Sequence, residues 1–248
     1  MAELKHIVRF SGGKDSTCML LMMLKKGMQV DEIIFCDTGM EFPQMYEHIA
    51  LVEKNISEKF GKHITIIKPK HSYEYYMYEV KKKRGKWVMN PGYGWAIPKN
   101  RWCTRLLKQE PTKSWKTKEW IEYIGIASDE PKRHVNIPKN TVHPLFDWGI
   151  TEKMALSFCK RQGYTWGGLY DEFDRVSCWC CPLQSLKPLR ILYHNHPDLW
   201  FKLKKMDEKA LNQFRADYSV QDLEDKFKRE DYLKKISIPL FDVNTNDM

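Results

Sequence analysis

The chain has 248 residues, 42 % of them hydrophobic, which is enough to bury the core of one generous domain or of a domain with an appendage. No apolar run approaches the ~18 residues of a membrane span and no signal-peptide core precedes the first predicted strand, so we expect a globular cytoplasmic protein without membrane contact. The formal net charge of +9 favours anionic partners.

The first predicted elements are a strand and a helix joined by a glycine turn. Residues 7–10 are apolar enough for a buried strand, and residues 17–26 have the composition of a helix that Gly27 ends. The turn between them reads Ser11-Gly12-Gly13-Lys14-Asp15-Ser16. Glycines at a helix N-terminus let free N–H groups approach an anion, and a lysine adds a full charge. We predict a nucleotide phosphate at this turn; a tight turn without a ligand is the simpler alternative.

This turn differs from the Walker A loop. That pattern needs a glycine five residues before the Gly-Lys pair, and position 8 is Val8. The phosphate site is therefore predicted from the strand, turn and helix together, because the Walker pattern is absent.

The next segments alternate strand and helix. Residues 31–39 predict a strand that ends in a polar turn, residues 42–60 a helix that stops before Gly61, and residues 64–67 a third strand. This alternation predicts an α/β fold with a mostly parallel sheet and helices on both faces. Ligands of such sheets bind at the carboxyl ends of the strands, where Ser11 and Asp37 fall.

The second half of the chain is less regular. Residues 86–101 predict a mobile loop, residues 101–120 a helix interrupted at Pro111, and residues 120–126 a fourth strand. Thr151 is a candidate N-cap of a further helix. Residues 199–235 have the composition of a charged helical segment, and the polar end at 242–248 is expected to fray. We therefore divide the chain into a nucleotide-binding domain, residues 1–195, and a helical segment, residues 196–248.

Basic residues and aromatic side chains are interleaved in the middle of the sequence. The basic residues concentrate at 81–86 and 99–118, and the aromatics among them are Trp87, Tyr93, Trp95, Trp102, Trp115 and Trp120. Such a mixture suits phosphate contacts and base stacking on a nucleic acid. A solvated basic face, or a pocket for a highly charged small nucleotide, accounts for it equally well.

Seven cysteines in a chain without an export signal point to reduced thiols and a metal rather than to disulfides. Cys178 and Cys181 have the C-x-x-C spacing, Cys180 lies between them, and Cys103 stands among basic residues. Four thiolates suit Zn²⁺ or an iron–sulfur cluster equally by count, and a cysteine-rich turn without metal stays open. The remaining cysteines are expected in the core: Cys18, Cys36 and Cys159.

Several of these motifs together resemble a known family. Residues 11–16 are similar to the PP-loop of the ATP pyrophosphatases, and residues 35–43 resemble the Asp-Thr-Gly segment of the phosphoadenosine phosphosulfate (PAPS) reductase branch. The remaining segments recur in the order of that branch and lie at residues 101–108, 124–130, 143–148 and 175–182. The resemblance covers roughly residues 5–200, and its motifs are specific only in combination.

The resemblance implies a Rossmann-like, adenine nucleotide alpha-hydrolase-like fold and a set of site residues. Lys14, Asp15 and Ser16 would act in catalysis on ATP or a PAPS-like nucleotide. The nucleotide-binding residues it implies are Ser11, Gly12, Gly13, Lys14, Asp15, Ser16, Asp37, Thr38, Gly39, Arg101, Arg105, Lys108, Gly125 and Asp129. Asp129 is a candidate contact for Mg²⁺ or the ribose. Asp15 and Asp37 are further Mg²⁺ candidates, although an aspartate in a turn more often bonds its own backbone.

The cluster-bearing sulfonucleotide reductases hold a [4Fe–4S] cluster with a Cys-Cys pair and a later C-x-x-C. Here Cys103 matches one member of the pair, Trp102 stands in place of the other, and Cys178 and Cys181 match the C-x-x-C. Cys180 would supply the fourth ligand, which favours a [4Fe–4S] cluster, with zinc as the alternative. Those reductases also use a nucleophilic cysteine in a C-terminal tail, and no cysteine follows Cys181 in this sequence.

Three functions remain as hypotheses. The preferred one is an enzyme that cleaves ATP to AMP and pyrophosphate in order to activate a substrate, which includes nucleic acid, for sulfur transfer. The others are a sulfonucleotide reductase whose catalytic cysteine is displaced to Cys180, and a non-catalytic nucleotide- or nucleic-acid-binding module with structural zinc. The expected partners are an adenine nucleotide, tRNA or DNA, a sulfur donor or reductant protein and, as an open option, a second copy of the chain in a homodimer.

Overall fold

The structure is a computed structural model that describes residues 4–81, 90–115 and 119–236. Within these ranges the strands are β1 Lys5–Arg9, β2 Glu32–Cys36, β3 Ile64–Ile67, β4 Trp120–Ile124 and β5 Thr141–Val142. The α-helices are α1 Lys14–Lys25, α2 Pro43–Phe60, α3 Tyr73–Tyr78, α4 Pro144–Asp147, α5 Glu152–Arg161, α6 Leu169–Glu172, α7 Leu186–Asn195, α8 Pro197–Lys209 and α9 Val220–Ile236.

The strands form one parallel sheet in the order β3-β2-β1-β4-β5. Neighbouring side chains along a strand point to opposite faces, and Ile7, Val8, Ile33 and Ile34 are each at most 3 % exposed. Both faces of the central strands are therefore covered, which confirms the predicted α/β Rossmann-like fold. The strand order changes direction between β1 and β4, where ligands of doubly wound sheets bind.

The helix boundaries follow local capping. Helix α1 begins at Lys14, three residues before the predicted start, because the glycine turn already supplies its N-cap, Gly13. Helix α2 opens on Pro43 and ends at Gly61 in the left-handed conformation (φ 60°). The Thr151 hydroxyl accepts the Met154 amide at 3.2 Å, which confirms the predicted N-cap of α5.

Two segments differ from the helices that the sequence predicts. After a short helical start at residue 102, the chain runs as a π-helix, Thr104–Gln109, and then as a 3-10 helix, Glu110–Trp115. Residues 199–235 are not one helix, because 210–219 separate α8 from α9. A capping pair starts α9: the Asp222 amide donates to the Ser219 hydroxyl, and the Asp222 carboxylate accepts the Ser219 amide.

The described chain forms two compact units. The first comprises Met1–Tyr76 and Lys99–Cys181 and contains the whole sheet, and the second comprises Met77–Pro98 and Pro182–Met248. The predicted domain boundary at residue 195 stays a prediction.

Of the predicted mobile loop, 86–89 lie outside the described residues. In its described part Trp95 is 1 % exposed, and its indole N–H donates to Asp207 at 2.8 Å. The predicted fraying at 242–248 also lies outside the described residues. No described helix has the length and apolarity needed to cross a membrane.

Candidate nucleotide and thiol sites

The turn between β1 and α1 forms a cradle of backbone amides. The Ser16 hydroxyl accepts the Ser11 amide at 3.1 Å and donates to the Gly13 carbonyl at 3.0 Å, which closes the turn on itself. Among the residues that the structure describes, the amides of Gly12, Gly13, Asp15 and Ser16 have no hydrogen-bond partner. Amides at the start of a 12-residue helix carry positive potential, so the turn is built to bind an anion.

Gly125, at the end of β4, lies directly behind this turn. A Cβ atom at Gly125 would lie 2.9 Å from the carbonyl carbon of Asp15 and from the amide nitrogen of Ser16. Those are backbone atoms, so the turn itself would have to shift to make room for a side chain at residue 125. The sheet and the turn therefore meet at a place that only glycine fits.

Lys14 is held by acidic groups. Its residue is 4 % exposed, and its Nζ lies 2.7 Å from an oxygen of Glu152 and 3.6 Å from an oxygen of Asp15. The same Nζ lies 5.4 Å from the centre of the Tyr170 ring. The charge that the sequence predicts for phosphate binding is thus already neutralised, and a phosphate must compete for it.

Three carboxylates meet beside the turn. Oxygens of Asp15, Glu130 and Glu152 lie within 4.8 Å of one another, the one such group of potential metal ligands among the described residues. Burial raises the pKa of Asp15 to about 6; Lys14 opposes that shift, and Glu152 and Glu130 add to it. The Oδ1 of Asp15 is buried without a hydrogen-bond partner among the described atoms. Carboxylate oxygens are ligands that Mg²⁺ takes, so the group fits a divalent ion.

The other predicted contact residues around the turn form hydrogen bonds within the protein. Asp129 accepts the Glu152 amide at 3.0 Å and is not one of the three clustered carboxylates. Asp37 accepts the Gly39 amide at 2.9 Å and the Tyr46 hydroxyl at 2.8 Å, the backbone bonding expected of an aspartate in a turn. Their roles toward Mg²⁺, ribose or adenosine stay predictions.

A cavity of about 90 Å³ opens at the carboxyl ends of β1 and β2. Its lining residues are Arg9, Phe10, Ser11, Ile34, Phe35, Cys36, Glu41 and Lys108. The Lys108 Nζ lies 3.6 Å from an oxygen of Glu41. Lys108 therefore reaches the same strand ends as the turn, whereas Arg101 and Arg105 lie exposed at the start of the π-helical segment.

The four predicted thiol ligands gather around Tyr73. Burial raises the pKa of the Tyr73 hydroxyl, and the neighbouring thiols raise it further; they are Cys180, Cys103, Cys178 and Cys181. The Cys178 thiol donates to Glu41 at 3.4 Å and lies 4.0 Å from the Thr38 hydroxyl. Trp102, the neighbour of Cys103 in the chain, also belongs here: it packs on the Tyr73 ring at 4.9 Å between centroids. The structure thus brings together the four cysteines that the sequence selects.

The spacing of these thiols bears on the metal they would hold. Tetrahedral zinc with bonds of ~2.3 Å needs its thiolates roughly 3.8 Å apart. No three of the four thiols lie within 4.8 Å of one another in the described chain. In a four-iron cluster each thiolate binds a different iron, so the thiolates lie farther apart. In the described chain the four thiols are therefore not arranged as the ligands of a single zinc ion, and the choice between zinc and an iron–sulfur cluster stays a prediction.

Most of the chain matches a known family. The sequence profile described as the phosphoadenosine phosphosulfate reductase domain matches residues 5–184, well over half of the chain. The chain belongs to the phosphoadenosine phosphosulfate reductase family. The matched region spans the glycine turn, the three carboxylates and all seven cysteines.

One archaeal protein is similar to this chain in sequence. An uncharacterized protein of Methanocaldococcus jannaschii is 26 % identical over 214 residues, which cover 79 % of this chain and 40 % of that protein. The chain thus spans less than half the length of that relative.

Some of the aromatics predicted to stack on nucleic acid are core residues of this PAPS reductase family member. Trp95 and Trp102 are each 1 % exposed and have no face open to a base, so their predicted stacking role is wrong. Trp120 is half-buried in β4, and Trp87 lies outside the described residues, as does the side chain of Trp115.

Several residues at the family's glycine turn escaped the sequence analysis. Glu130 and Glu152 join the carboxylate group, and Trp166 and Tyr170 bond the turn backbone. Glu152 follows an N-cap, where an acidic residue has a sufficient explanation in the helix dipole. The only local signal for the other pair was the tryptophan before two glycines at 166–168.

Proposed function

We propose that this protein binds ATP with Mg²⁺ at the glycine turn, residues 11–16, and cleaves it to AMP and pyrophosphate in order to activate an acceptor for sulfur transfer. The observation that carries the proposal is the group of three carboxylates, Asp15, Glu130 and Glu152, beside the turn of unbonded amides. The amides suit phosphate oxygens, and the carboxylates suit the metal that accompanies a triphosphate.

The position of the three carboxylates beside the anion-binding turn also argues against a sulfonucleotide without a metal ion as the substrate. Three carboxylates next to a phosphate site repel a metal-free anion, whereas Mg²⁺ between them and the phosphates turns that repulsion into attraction. The nearby lysine and arginine do not remove the need for a metal ion, because each is already paired with a carboxylate. Lys14 is paired with Glu152 at 2.7 Å, and Glu130 is paired with Arg133 at 2.6 Å.

The proposed chemistry needs positioning and charge neutralisation rather than a protein nucleophile. An acceptor oxygen attacks the α-phosphorus, the bond from that phosphorus to the bridging oxygen breaks, and pyrophosphate leaves with the electron pair. The amides of Gly13, Asp15 and Ser16 would bind the leaving phosphates, and Lys14 would join them once the metal takes over Glu152. A sulfide-level nucleophile then attacks the activated atom of the acceptor and displaces AMP.

The thiol group beside Tyr73 would hold a [4Fe–4S] cluster through Cys103, Cys178, Cys180 and Cys181. Four thiolates occupy all four irons, so the bound cluster would supply a place to carry sulfur only when one thiolate leaves its iron. Lys108 supports an anionic group at this place, because Cys178 and Glu41 raise its pKa and keep it charged. The sulfur donor is expected to be a partner protein, and tRNA or DNA is the expected acceptor for a chain with a net charge of +9.

Two alternatives are outcomes of the same experiment. A reductase with a displaced nucleophile would use Cys180, but this thiol is 1 % exposed and burial raises its pKa, the opposite of an activated thiolate. A binding module with structural zinc would bind nucleotide without turnover.

The decisive experiment uses anaerobically purified protein incubated with ATP, with Mg²⁺ or with EDTA, and with or without bulk tRNA or DNA. We expect AMP and pyrophosphate only with Mg²⁺, and more of both with the nucleic acid that serves as acceptor. Intact ATP in every reaction contradicts the proposal. Sulfite from PAPS or adenylyl sulfate with a thiol donor would then indicate reduction, and tight binding with no turnover a binding module.

Asp15→Asn keeps the size of the side chain and removes its charge, so it should abolish AMP formation. The matched control is Asp171→Asn, because Asp171 lies on the surface of the same unit and pairs only with Lys160 among the described residues. Wild-type activity in Asp15→Asn contradicts the metal assignment.

A further inference from the structure

A strained tryptophan lies directly behind the glycine turn. Trp166 has φ +52°, a conformation that bulky residues rarely adopt, and Gly167 and Gly168 follow it with φ +57° and +88°. Such a residue costs on the order of 1–3 kcal/mol and persists only where the surroundings impose it. Trp166 is also 2 % exposed, so its indole is fixed in place.

The indole is aimed at one atom of the turn. Its N–H donates to the carbonyl oxygen of Gly12 at 2.7 Å, and the Thr17 hydroxyl donates to the same oxygen at 3.3 Å. The described chain contains no cis peptide bond, so the C=O of Gly12 and the N–H of Gly13 point in opposite directions. A carbonyl held against the indole therefore turns the Gly13 N–H away from Trp166, and that amide has no partner among the described residues.

A buried histidine supports this arrangement. The His48 ring stacks on the Trp166 ring at 4.3 Å between centroids, and its Nε2 lies 3.1 Å from the Thr17 hydroxyl. Burial lowers the pKa of His48 to about 3, so the ring is neutral at physiological pH and adds no charge behind the turn. Both donors to the Gly12 carbonyl are thus held by one side chain of α2.

The same segment contacts the turn a second time. The Tyr170 hydroxyl, four residues after Trp166, accepts the Lys14 amide at 2.9 Å. The Trp166 and Tyr170 rings pack edge to face at 4.8 Å. Gly167 permits the close approach to α2, because a Cβ atom there would lie 2.9 Å from a carbon of Gln44.

We propose that Trp166 is a positioning residue for phosphate binding: it holds the Gly12–Gly13 peptide in the orientation that presents the Gly13 N–H to a phosphate oxygen. Without the indole N–H the peptide can rotate, and the Gly12 carbonyl then turns a negative dipole toward the anion site. This inference rests on the proposed function, because it requires that the turn bind phosphate.

The test compares pyrophosphate binding in the wild type, Trp166→Phe and Tyr164→Phe by calorimetry. Phenylalanine keeps a ring on His48 and loses the donor together with part of the indole volume. We expect pyrophosphate affinity to fall about fivefold to tenfold, the size of one hydrogen-bond contribution. Tyr164→Phe is the matched control. It loses a hydroxyl of the same segment that bonds Asn55 at 3.0 Å and not the turn, so affinity should be unchanged.

A spectrum of protein labelled with ¹⁵N-glycine separates positioning from general damage. In Trp166→Phe the Gly13 amide signal should move, while the signals of Gly27 and Gly163, which face open space away from the turn, should stay. In turnover assays the KM for ATP should rise more than kcat falls. Should Trp166→Phe not fold, Thr17→Val removes the other donor to the same carbonyl and should weaken pyrophosphate binding selectively in the same way.

Each other outcome decides a different question. Failure of the wild type to bind pyrophosphate overturns the proposed function and this inference with it. Binding by the wild type with equal affinity in the folded variant overturns the inference alone. Movement of all glycine signals together shows a merely structural role for Trp166 and overturns it as well.

Discussion

The ammonium group of Lys14 lies 2.7 Å from a carboxylate oxygen of Glu152, and only about 5 % of the Lys14 side chain is exposed. The pair joins the first residue of α1 to the first residue of α5, two helices that pack against each other. Because the lysine charge is shared with an acid, phosphate and metal binding at this site are coupled through one ion pair.

Glu152→Gln should therefore act in opposite directions on the two ligands. Without metal, the freed Lys14 should bind pyrophosphate more tightly, by about threefold to tenfold, as expected for one partly buried ion pair. With Mg²⁺, AMP formation should fall at least about tenfold, because the metal loses one of three carboxylates. Calorimetry and product analysis measure both effects, with Glu208→Gln on the surface as control. A parallel loss of both would contradict the coupling.

Gly125→Ala tests the contact between the sheet and the turn. A methyl group would lie 2.9 Å from the backbone of Asp15 and Ser16, so the turn must shift and ATP affinity should fall at least about tenfold, since overpacking costs roughly 1–3 kcal/mol. Gly163→Ala is the control: its backbone is strained (φ +86°), but the new methyl group meets no atom within 4 Å. It should lower the melting temperature and leave ATP affinity alone. Equal losses of affinity in the two variants would refute a local effect.

The acid sensitivity of the protein should depend on His48. Its pKa is lowered to about 3 by burial, so between pH 6.5 and 3 the unfolded chain binds more protons than the folded one. Stability contributed by neutral His48 is complete above pH 6.5 and is lost as the pH falls. From pH 7 to pH 5 this loss amounts to about 2 kcal/mol.

In part of that pH range, Asp15 changes the stability of the folded protein in the opposite direction. Because burial raises its pKa to about 6, the folded chain binds more protons there between pH 6 and 4, and stability from this group falls as the pH rises. Comparison with His48→Gln isolates the histidine, since both proteins keep Asp15. Urea unfolding at pH 7 and pH 5 should show a smaller pH effect in the variant. The exposed His63→Gln should behave like the wild type, and equal pH effects in all three would disprove the assignment.

Cys178→Ser tests the thiol group. Anaerobic wild-type protein should contain about four iron and four sulfide per chain if a [4Fe–4S] cluster is present, and the variant should lose most of both. Cys36→Ser is the control, because its thiol bonds the Lys108 carbonyl and it is not one of the four proposed ligands. One zinc per chain, lost in Cys178→Ser, would instead establish structural zinc.

The sequence predicted the central sheet well because its strands are short apolar runs bounded by glycines and polar turns. Strand β3 matches the predicted residues 64–67, and α2 differs by one residue at its start. Strand β5 has two residues, too few for any periodicity, and was missed. The break between α8 and α9 was missed because charge and helical spacing continue on both sides of it, although Ser219 and Asp222 form a capping signal.

At the site, the sequence found the residues that belong to recognisable motifs and missed those that the fold brings in without such a motif. Ser11–Ser16 are contiguous, and so are Cys178–Cys181. Glu152 and Trp166 lie more than 130 residues from the turn in the chain, and the sequence around each of them does not indicate a role at the turn. The ion pair between Lys14 and Glu152 likewise results from the packing of two helices, and no local sequence pattern predicts it.

The strand order β3-β2-β1-β4-β5 also bears on synthesis of the chain. Strand β1 pairs with β2 on one side, but its other neighbour, Trp120–Ile124, is made more than a hundred residues later. Until then a nascent chain presents the apolar β1 as an open sheet edge, the kind of surface on which unfinished chains associate. Synthesis of residues 37–119 is thus a period in which the unfinished sheet is open to association with other chains.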